Sequence, residues 1–238
     1  NTGIYTLCKD NNNFINFCPS RGGIITNWVV NNQQILYFDQ KRFLDKSQSI
    51  RGGIPILFPI CGNLENKSLF GDDFLDLMQH GFARDQEWNY GLNHFNKTLS
   101  LTLSDNEITR RYYPYFFELR IEIALSIETL KFNIEIFNKS NIAMPVNFGL
   151  HPYFNISNFN NVKFLEYSKC CLNQKNNNLI KTKNLLRNAY KGIDLLMYSS
   201  GKTSFIDYGL KRKIILTNPS PFDISVIWSD PPRQMLCM

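Results

Sequence analysis

Short segments in which apolar and polar residues alternate are the most regular feature of the chain. From Glu118 to Ser126 the sequence ELRIEIALS alternates charge and bulk, and FNIEIF from Phe132 repeats the alternation after the turn-like residues 128–130. Successive side chains on a strand point to opposite faces, so this alternation predicts two antiparallel strands with one solvated face.

Similar segments, rich in β-branched and aromatic residues, recur between Asn, Gly and Pro residues. No long segment with the period of a helix competes with them. We therefore predict an all-β fold with many antiparallel strands. The predicted strands are Ile24–Val30, Gln34–Phe38, Thr98–Ser104, Phe116–Glu128, Leu130–Phe137, Ile214–Leu216 and Ile224–Trp228. Residues 173–184 are polar and rich in Asn and Lys, which predicts an exposed loop.

Length and composition fit one globular domain. The 238 residues lie within the range of single all-β sandwiches, and 43% hydrophobic with 14% aromatic residues supply a substantial core. No apolar run approaches the ~20 residues that a spanning helix needs, and no secretory leader is visible. We expect one soluble domain over residues 1–238, located in the cytoplasm.

The cysteines and the charged residues indicate no metal, disulfide or nucleic-acid site. The six cysteines form no CxxC pair, so we expect reduced thiols. Of the Lys and Arg residues behind the net charge of +6, only 211–213 cluster, which predicts a solvated strand edge rather than a nucleic-acid surface. We also find neither the GxGxxG nor the GxxxxGK pattern, so we expect no cofactor, no metal, no nucleic acid and no membrane partner.

Two of the three histidines stand in patterned surroundings. His151 lies in NFGLHPYF and His80 in QHGFAR, whereas His94 has no such setting. The usual pKa of histidine, ~6.5, suits proton transfer near neutral pH. Each histidine is thus a candidate acid or base, and the alternative for each is a packed, structural imidazole.

Three separated runs carry a family resemblance. RGGIPILFPICGN from Arg51, QHGFARDQEW from Gln79 and NFGLHPYF from Asn147 resemble the aldose 1-epimerase family in order and spacing. The HGFAR form is similar to the branch that contains the hexose-6-phosphate mutarotases. The resemblance implies an antiparallel β-supersandwich of the galactose mutarotase type. It also implies interconversion of the α and β anomers of an aldohexose or hexose 6-phosphate by ring opening and closure.

The resemblance also implies catalytic roles. His151 matches the general acid of the family, and His80 is expected to donate a hydrogen bond that stabilises the developing carbonyl or ring oxygen. The general base of the family is a glutamate near the C-terminus, after a hydrophobic-Cys-hydrophobic sequence. Residues 235–238 match that sequence and the glutamate would come next, so we expect a fragment of a longer protein, truncated at both ends.

Several polar side chains in the same motifs are expected to bind the substrate. A guanidinium can hold a pair of hydroxyls or a phosphate in a forked geometry, and amides bond hydroxyls. The expected substrate contacts are Arg51, Gln79, Arg84 and Asn63. For Arg84 the alternative is a surface salt bridge with Asp85 or Glu87.

A carboxylate that binds sugar hydroxyls is expected after His151. Asp194 in GIDLLMY fits the family pattern best, and Asp207 in FIDYG is the alternative. Tyr153 and Phe154 are expected to line the cleft. Other aromatic residues near the motifs, Phe82, Trp88 and Trp228, are expected mostly in the core.

Two alternatives to catalysis by this domain remain open at this point. One is a non-catalytic carbohydrate-binding or sugar-sensing module on the same fold, which keeps the substrate contacts without the base. The other is a sandwich domain of a larger carbohydrate-active enzyme, because one fold serves many functions. The expected partner is a small sugar or sugar phosphate, and the expected state is a monomer or a weak homodimer.

Overall fold

The computed structural model describes residues 3–45, 47–64 and 77–238. The chain forms two compact units, residues 1–151 and residues 152–238. Within the described residues, no helix has the length and apolarity needed to cross a membrane. The expectation of one domain over residues 1–238 stays a prediction.

The first unit contains two four-stranded antiparallel sheets and one two-stranded ribbon. The sheets follow the orders β1-β2-β3-β4 and β6-β7-β8-β9, and the ribbon pairs β10 with β5. The strands are β1 Tyr5–Asp10, β2 Asn13–Cys18, β3 Ile24–Val30, β4 Gln33–Gln34, β5 Ile56–Leu57, β6 Asn89–Asn93, β7 Thr98–Ser104, β8 Phe117–Leu125, β9 Leu130–Asn138 and β10 Gly149–Leu150. The helices are α1 Gln40–Leu44 and α2 Glu107–Tyr112.

The alternation predicted around residues 118–137 is confirmed in β8 and β9. The two strands pair antiparallel over their full length, with Leu119 opposite Ile136 and Ile123 opposite Phe132. Every second residue of β8 is buried, and the residues between are more exposed. The apolar set of β8 therefore faces the core of this unit, as one buried face requires.

The β3–β4 hairpin turns at two asparagines. Asn31 and Asn32 both have positive φ, at 50° and 62°, which suits a tight turn between antiparallel strands. The side-chain oxygen of Asn13 also accepts the backbone N–H of Asn31 at 2.8 Å. The predicted strand 34–38 is shorter than expected, because β4 ends at Gln34 and isolated bridges follow.

The second unit contains a six-stranded and a three-stranded sheet, both antiparallel. Their orders are β11-β19-β18-β15-β13-β14 and β12-β16-β17. The elements are β11 Tyr153–Asn155, β12 Val162–Glu166, β13 Cys170–Asn173, β14 Asn178–Lys181, α3 Thr182–Leu186, β15 Asp194–Tyr198, β16 Lys202–Asp207, β17 Arg212–Thr217, β18 Ile224–Trp228 and β19 Met235–Cys237.

Two sequence predictions for this unit need correction or refinement. The expected loop 173–184 is wrong in part, because β13 and β14 form a hairpin there and α3 follows it. The edge expected at residues 211–213 is only partly solvated. Lys213 is exposed, whereas Arg212 is half-buried and donates from Nη2 to the carbonyl oxygen of Asn155 at 2.5 Å.

Candidate functional site

Arg51 is placed by a glycine pair that packs against neighbouring backbone. A Cβ on Gly52 would lie 2.5 Å from the Cα of Phe38, and one on Gly53 would lie 2.4 Å from the carbonyl oxygen of Ile25. The close approaches of both glycines are to the protein's own chain. They hold the loop so that the half-buried Arg51 lies at the start of the RGGIP segment.

His80 occupies a strained position in a tightly held turn. Its φ is 69°, a left-handed conformation that is uncommon for a residue with a Cβ. The next residue, Gly81, leaves no room for a side chain, because a Cβ there would lie 2.2 Å from the carbonyl oxygen of Phe58. The same oxygen accepts the N–H of Phe82 at 3.0 Å. Backbone contacts with Phe58 thus fix the turn that presents the imidazole.

Gly62 and His80 hold each other by two reciprocal hydrogen bonds. The N–H of Gly62 donates to Nδ1 of His80 at 2.9 Å, and the N–H of His80 donates to the carbonyl oxygen of Gly62 at 2.8 Å. A ring nitrogen that accepts a hydrogen bond carries no proton, so the proton of the neutral ring is on Nε2. His80 therefore presents Nε2–H as a hydrogen-bond donor.

His151 is carried by a segment that runs beside the RGGIPILFP motif. Strand β10 pairs with β5, the N–H of His151 donates to the carbonyl oxygen of Pro55 at 3.0 Å, and the N–H of Asn147 donates to that of Pro59 at 2.8 Å. These backbone bonds place the second histidine next to the first. The ring centroids of His80 and His151 are 5.8 Å apart, with an interplanar angle of 82°.

Both imidazoles are neutral at physiological pH. Burial and the positive charges of Arg84 and Arg51 lower the pKa of His80 to about 4. Burial, His80 and the same two arginines lower the pKa of His151 to about 3. The pair thus lies in a desolvated, electropositive environment, which favours an anionic or strongly hydrogen-bonding ligand.

The other polar residues expected at this site lie around His80. Gln79 and Asn63 are exposed, and the carbonyl oxygen of Gln79 accepts a hydrogen bond from Nη2 of Arg84 at 2.8 Å. Nε of Arg84 lies 3.7 Å from Oδ2 of Asp85, so the salt bridge considered as an alternative is present. This contact is loose and leaves the guanidinium charge acting on both histidines.

Cys61 lies beside Gly62 and near Gly149. A Cβ on Gly149 would lie 2.8 Å from Sγ of Cys61. Burial raises the pKa of the Cys61 thiol to about 12, so it stays protonated and is a poor nucleophile. All six cysteines are free in the structure, and their reduced state stays a prediction.

The two aspartates considered as sugar-binding residues lie in the second unit. Asp207 is fully buried, and its carboxylate accepts hydrogen bonds from Ser157, Gly209 and Leu210. Asp194 is half-buried and accepts one bond, at 2.6 Å, from Nε2 of Gln174. Asp207 therefore serves as a structural turn residue, whereas Asp194 retains an oxygen for a ligand.

The aromatic residues next to the histidine motif are less accessible than expected. Tyr153 and Phe154 are 3% and 4% exposed, and pack edge-on against Trp228 and Phe205 respectively. The expectation that they line a cleft is wrong, because their rings are used in packing the second unit. Trp88 is buried as expected and donates from Nε1 to the carbonyl oxygen of Ala83.

Within residues 3–45, 47–64 and 77–238, no group of three His, Cys, Asp or Glu side chains is arranged to hold a metal ion. The chemistry available at the histidine pair is hydrogen bonding and proton transfer, with positive charge supplied by Arg51 and Arg84.

The sequence pattern of one family accounts for nearly the whole chain. The pattern of the aldose 1-epimerase family matches residues 4–237. The chain belongs to the aldose 1-epimerase family. The match includes both histidine motifs and the RGGIP segment, so the resemblance seen in the three short runs holds across the chain.

Solved structures of this family type share the fold. The Slr1438 protein of Synechocystis sp. PCC 6803 is 34% identical, with a TM-score of 0.91 over 98% of this chain and 83% of that protein. A galactose mutarotase related enzyme from Lactobacillus acidophilus is 22% identical, with a TM-score of 0.76 over the same fractions. The chain is therefore an antiparallel β-sandwich protein of the galactose mutarotase type, as predicted.

A curated relative matches over a shorter segment. A protein of Cenchrus ciliaris, whose name carries glucose-6-phosphate 1-epimerase as a provisional activity, is 30% identical over 154 residues. That match covers 60% of this chain and 44% of the relative, so it spans less than half of the relative's length.

Sequence reasoning missed one functional group at this site, the backbone of Gly62. The sequence CGN after a proline indicates a turn, and Gly62 does have a φ of 87°. No sequence pattern indicates that its N–H reaches a histidine 18 positions away.

Proposed function

We propose that the protein is a mutarotase that interconverts the α and β anomers of an aldohexose or a hexose 6-phosphate. The observation that carries the proposal is the contact pair of His80 and His151, whose ring centroids are 5.8 Å apart beside two arginines. Ring opening needs a proton on the ring oxygen while the C1 hydroxyl loses one, and closure reverses both transfers. In the pair, one imidazole can exchange a proton with the ring oxygen while the other donates a hydrogen bond to the oxygen on which charge develops.

In this mechanism His80 donates a hydrogen bond and does not act as the base. Because Gly62 occupies its Nδ1, His80 offers Nε2–H to the oxygen on which charge develops. His151 supplies the proton to the ring oxygen on opening and takes it back on closure. This division of roles agrees with the roles that the family resemblance implies.

The low pKa of His151 favours an anionic substrate. With a pKa of about 3, the imidazolium form is roughly 1 in 10,000 of the free protein at pH 7. A phosphate on the substrate would offset the charges of Arg51 and Arg84 and so raise that pKa, although burial is the largest cause and would remain. We therefore favour a hexose 6-phosphate over a neutral hexose.

The first test measures anomer exchange of glucose 6-phosphate, glucose and galactose by polarimetry or exchange NMR. We expect His151→Ala to lower the catalysed rate by about 10²–10⁴-fold, and His80→Ala by about 10²-fold. His94→Ala is the matched control, because His94 is exposed in the β6–β7 turn. Wild-type exchange at the uncatalysed rate, with sugar binding retained, would refute catalysis by this chain.

A second test concerns the base. The general base of the family, which takes the proton of the C1 hydroxyl, is a glutamate in a Glu-Pro sequence after a hydrophobic-Cys-hydrophobic pattern, and residues 235–238 match that pattern. We propose comparing the 238-residue chain with one that carries Glu-Pro after Met238 and one that carries Gln-Pro. A rate gain with Glu-Pro alone would support that position for the base, and equal rates for the two lengthened chains would exclude it.

A third test separates phosphate from hydroxyl recognition. Arg51→Ala and Arg84→Ala should each weaken glucose 6-phosphate binding by about 1.5–3 kcal/mol, the range for hydrogen bonds to charged groups, and weaken glucose binding less. Arg111→Ala is the control, because Arg111 is exposed on α2. Equal losses for both sugars would overturn the phosphate assignment.

The second candidate function is a sugar-binding module without catalysis. The pKa of His151, well below the working pH, is the observation that favours it, because a general acid works best near that pH. Binding of sugar with no exchange in any of the three chains of the second test would support this function. For either function we propose a cytoplasmic location. The six free cysteines support it, because thiols stay reduced in that compartment.

A further inference from the structure

Strands β8 and β9 differ in how well their apolar residues are covered. The inward residues of β8, from Phe117 to Leu125, are at most 4% exposed. The direct neighbours on β9 of the four inward residues from Leu119 to Leu125 are just as apolar but remain partly exposed. These β9 residues are Leu130, Phe132, Ile134 and Ile136. An apolar row this long on a free strand is a surface that favours a further partner.

Among the residues that the structure describes, no strand pairs with β9 on the side away from β8. Strand β9 is the last strand of its sheet, and it contains no proline. The N–H of Ser126 donates to the oxygen of Thr129, and the N–H of Lys139 donates to that of Phe116, which fixes the bonding register with β8. Antiparallel strands alternate the direction of their backbone groups. The N–H and C=O groups of the even-numbered residues 130–136 therefore point away from β8.

The outer face of β9 carries a self-complementary charge pattern. Lys131, Asn133 and Glu135 are exposed at alternate positions. When two copies of the strand are aligned antiparallel about Asn133, Lys131 of each copy lies opposite Glu135 of the other. The two Asn133 side chains then face each other, and Phe132 lies opposite Ile134 on the apolar face. Opposite charges and apolar pairs at directly facing positions stabilise paired strands.

We propose that β9 is a homodimerisation edge, at which two copies of this chain pair their β9 strands antiparallel about a two-fold axis through Asn133. The pairing joins two four-stranded sheets into one continuous sheet and brings the two apolar rows into side-by-side contact. The odd-numbered residues already bond β8, so only alignments that pair even-numbered with even-numbered residues satisfy the outward backbone groups. Among these, the alignment about Asn133 is the one that places Lys131 opposite Glu135. The association should be weak, since one strand per copy buries less than the ~1,200 Å² of a standard interface.

The test is sedimentation velocity on the wild-type chain and on charge-reversed variants, from about 10 µM to about 1 mM. Lys131→Glu places two glutamates opposite each other twice in the dimer, and we expect it to raise the dissociation constant at least about tenfold. Glu135→Lys should do the same. The double variant Lys131→Glu/Glu135→Lys restores opposite charges, and we expect a dissociation constant within about threefold of wild type.

Lys163→Glu is the matched control, because Lys163 is an exposed lysine on β12, an end strand of another sheet. Circular dichroism checks that each variant is folded. A wild type that stays monomeric up to about 1 mM would overturn the proposal and would point to a cover for β9 from elsewhere in the same chain. The proposal would also be overturned if the dimer formed with the same dissociation constant in both single charge-reversed variants as in wild type. The contact would then lie on another surface.

Discussion

Two aspartates in the second unit have similar local sequences but differ in burial, in hydrogen bonding and in the direction of their pKa shifts. Each follows an isoleucine, Asp194 at the start of β15 and Asp207 at the end of β16. Asp207 is fully buried, and its two oxygens accept four hydrogen bonds between 2.6 and 3.1 Å. Asp194 is half-buried and accepts one side-chain bond.

The pKa values of the two carboxyls move in opposite directions. Burial pushes the pKa of Asp207 upward, but the bonds from Ser157, Leu210 and Gly209 outweigh it and hold the pKa below its usual range. Burial raises the pKa of Asp194, and the bond from Gln174 offsets this only in part. A fully bonded carboxylate stabilises its own fold, whereas an incompletely bonded one keeps a capacity for a ligand.

The largest expected effect is the loss of stability when the Asp207 carboxylate is removed. Asp207→Ala removes the buried carboxylate that accepts four hydrogen bonds from Ser157, Gly209 and Leu210. We expect the free energy of unfolding to fall by about 3–5 kcal/mol, as for other broken buried networks of charged groups. Denaturant unfolding measures it. Asp223→Ala, an exposed aspartate of the same unit, is the control and should change stability by less than about 0.5 kcal/mol.

The next effect is the pH dependence that Asp207 contributes. Because its folded pKa is lowered, its stabilisation is fully present above the unfolded value of about 3.9 and is lost as the pH falls through the folded pKa. Unfolding free energies of wild type and Asp207→Asn should therefore converge below about pH 4 and separate above it. A constant gap down to acid pH would assign the effect to packing instead.

The contrast between these two aspartates could be predicted from sequence only in part. The family pattern favoured Asp194, and a glycine two residues after Asp207 does indicate a turn. The sequence gives no sign that Ser157, 50 positions earlier, completes the carboxylate's bonds. Burial and long-range hydrogen bonds decide whether an aspartate is structural, and both depend on the tertiary fold.

The same limit applies to the strands and to the histidines. Alternating segments such as β8 and β9 were predicted well, because a strand with one buried face needs an apolar residue at every second position, and this alternation is visible in the sequence. The hairpin of β13 and β14 was missed, since its polar residues are held as strands by pairing with each other and, for β13, with β15. The histidine motifs located the candidate site, but the contact that sets the proton of His80 comes from the backbone of Gly62.

A smaller effect should come from Ser157→Ala, which removes one of the four bonds to the Asp207 carboxylate, together with a bond from Nδ2 of Asn161 to the hydroxyl at 3.2 Å, and keeps the carboxylate. Ser157→Ala deletes the hydroxyl that donates to Oδ1 of Asp207 at 2.6 Å and leaves the backbone donor at 2.7 Å in place. We expect a loss of about 1–2 kcal/mol in thermal or denaturant unfolding. Ser200→Ala, at an exposed serine, is the control. If the free energy of unfolding fell as much as in Asp207→Ala, the Ser157 hydroxyl would account for most of the stabilisation that the bonds to the Asp207 carboxylate provide.

The smallest expected effect on stability is that of Asp194→Asn, and its sign matters more than its size. The raised pKa means that ionisation of Asp194 is unfavourable in the folded state, so the neutral amide should leave stability unchanged or raise it by up to about 0.5 kcal/mol at pH 7. That gain should vanish below about pH 4, where the wild-type carboxyl is protonated as well. If Asp194 binds the sugar as proposed, sugar binding measured by calorimetry should weaken in the same variant, because a neutral amide replaces the charged acceptor of a hydroxyl hydrogen bond. A loss of stability above about 1 kcal/mol, with sugar affinity unchanged, would place Asp194 with Asp207 as a structural residue.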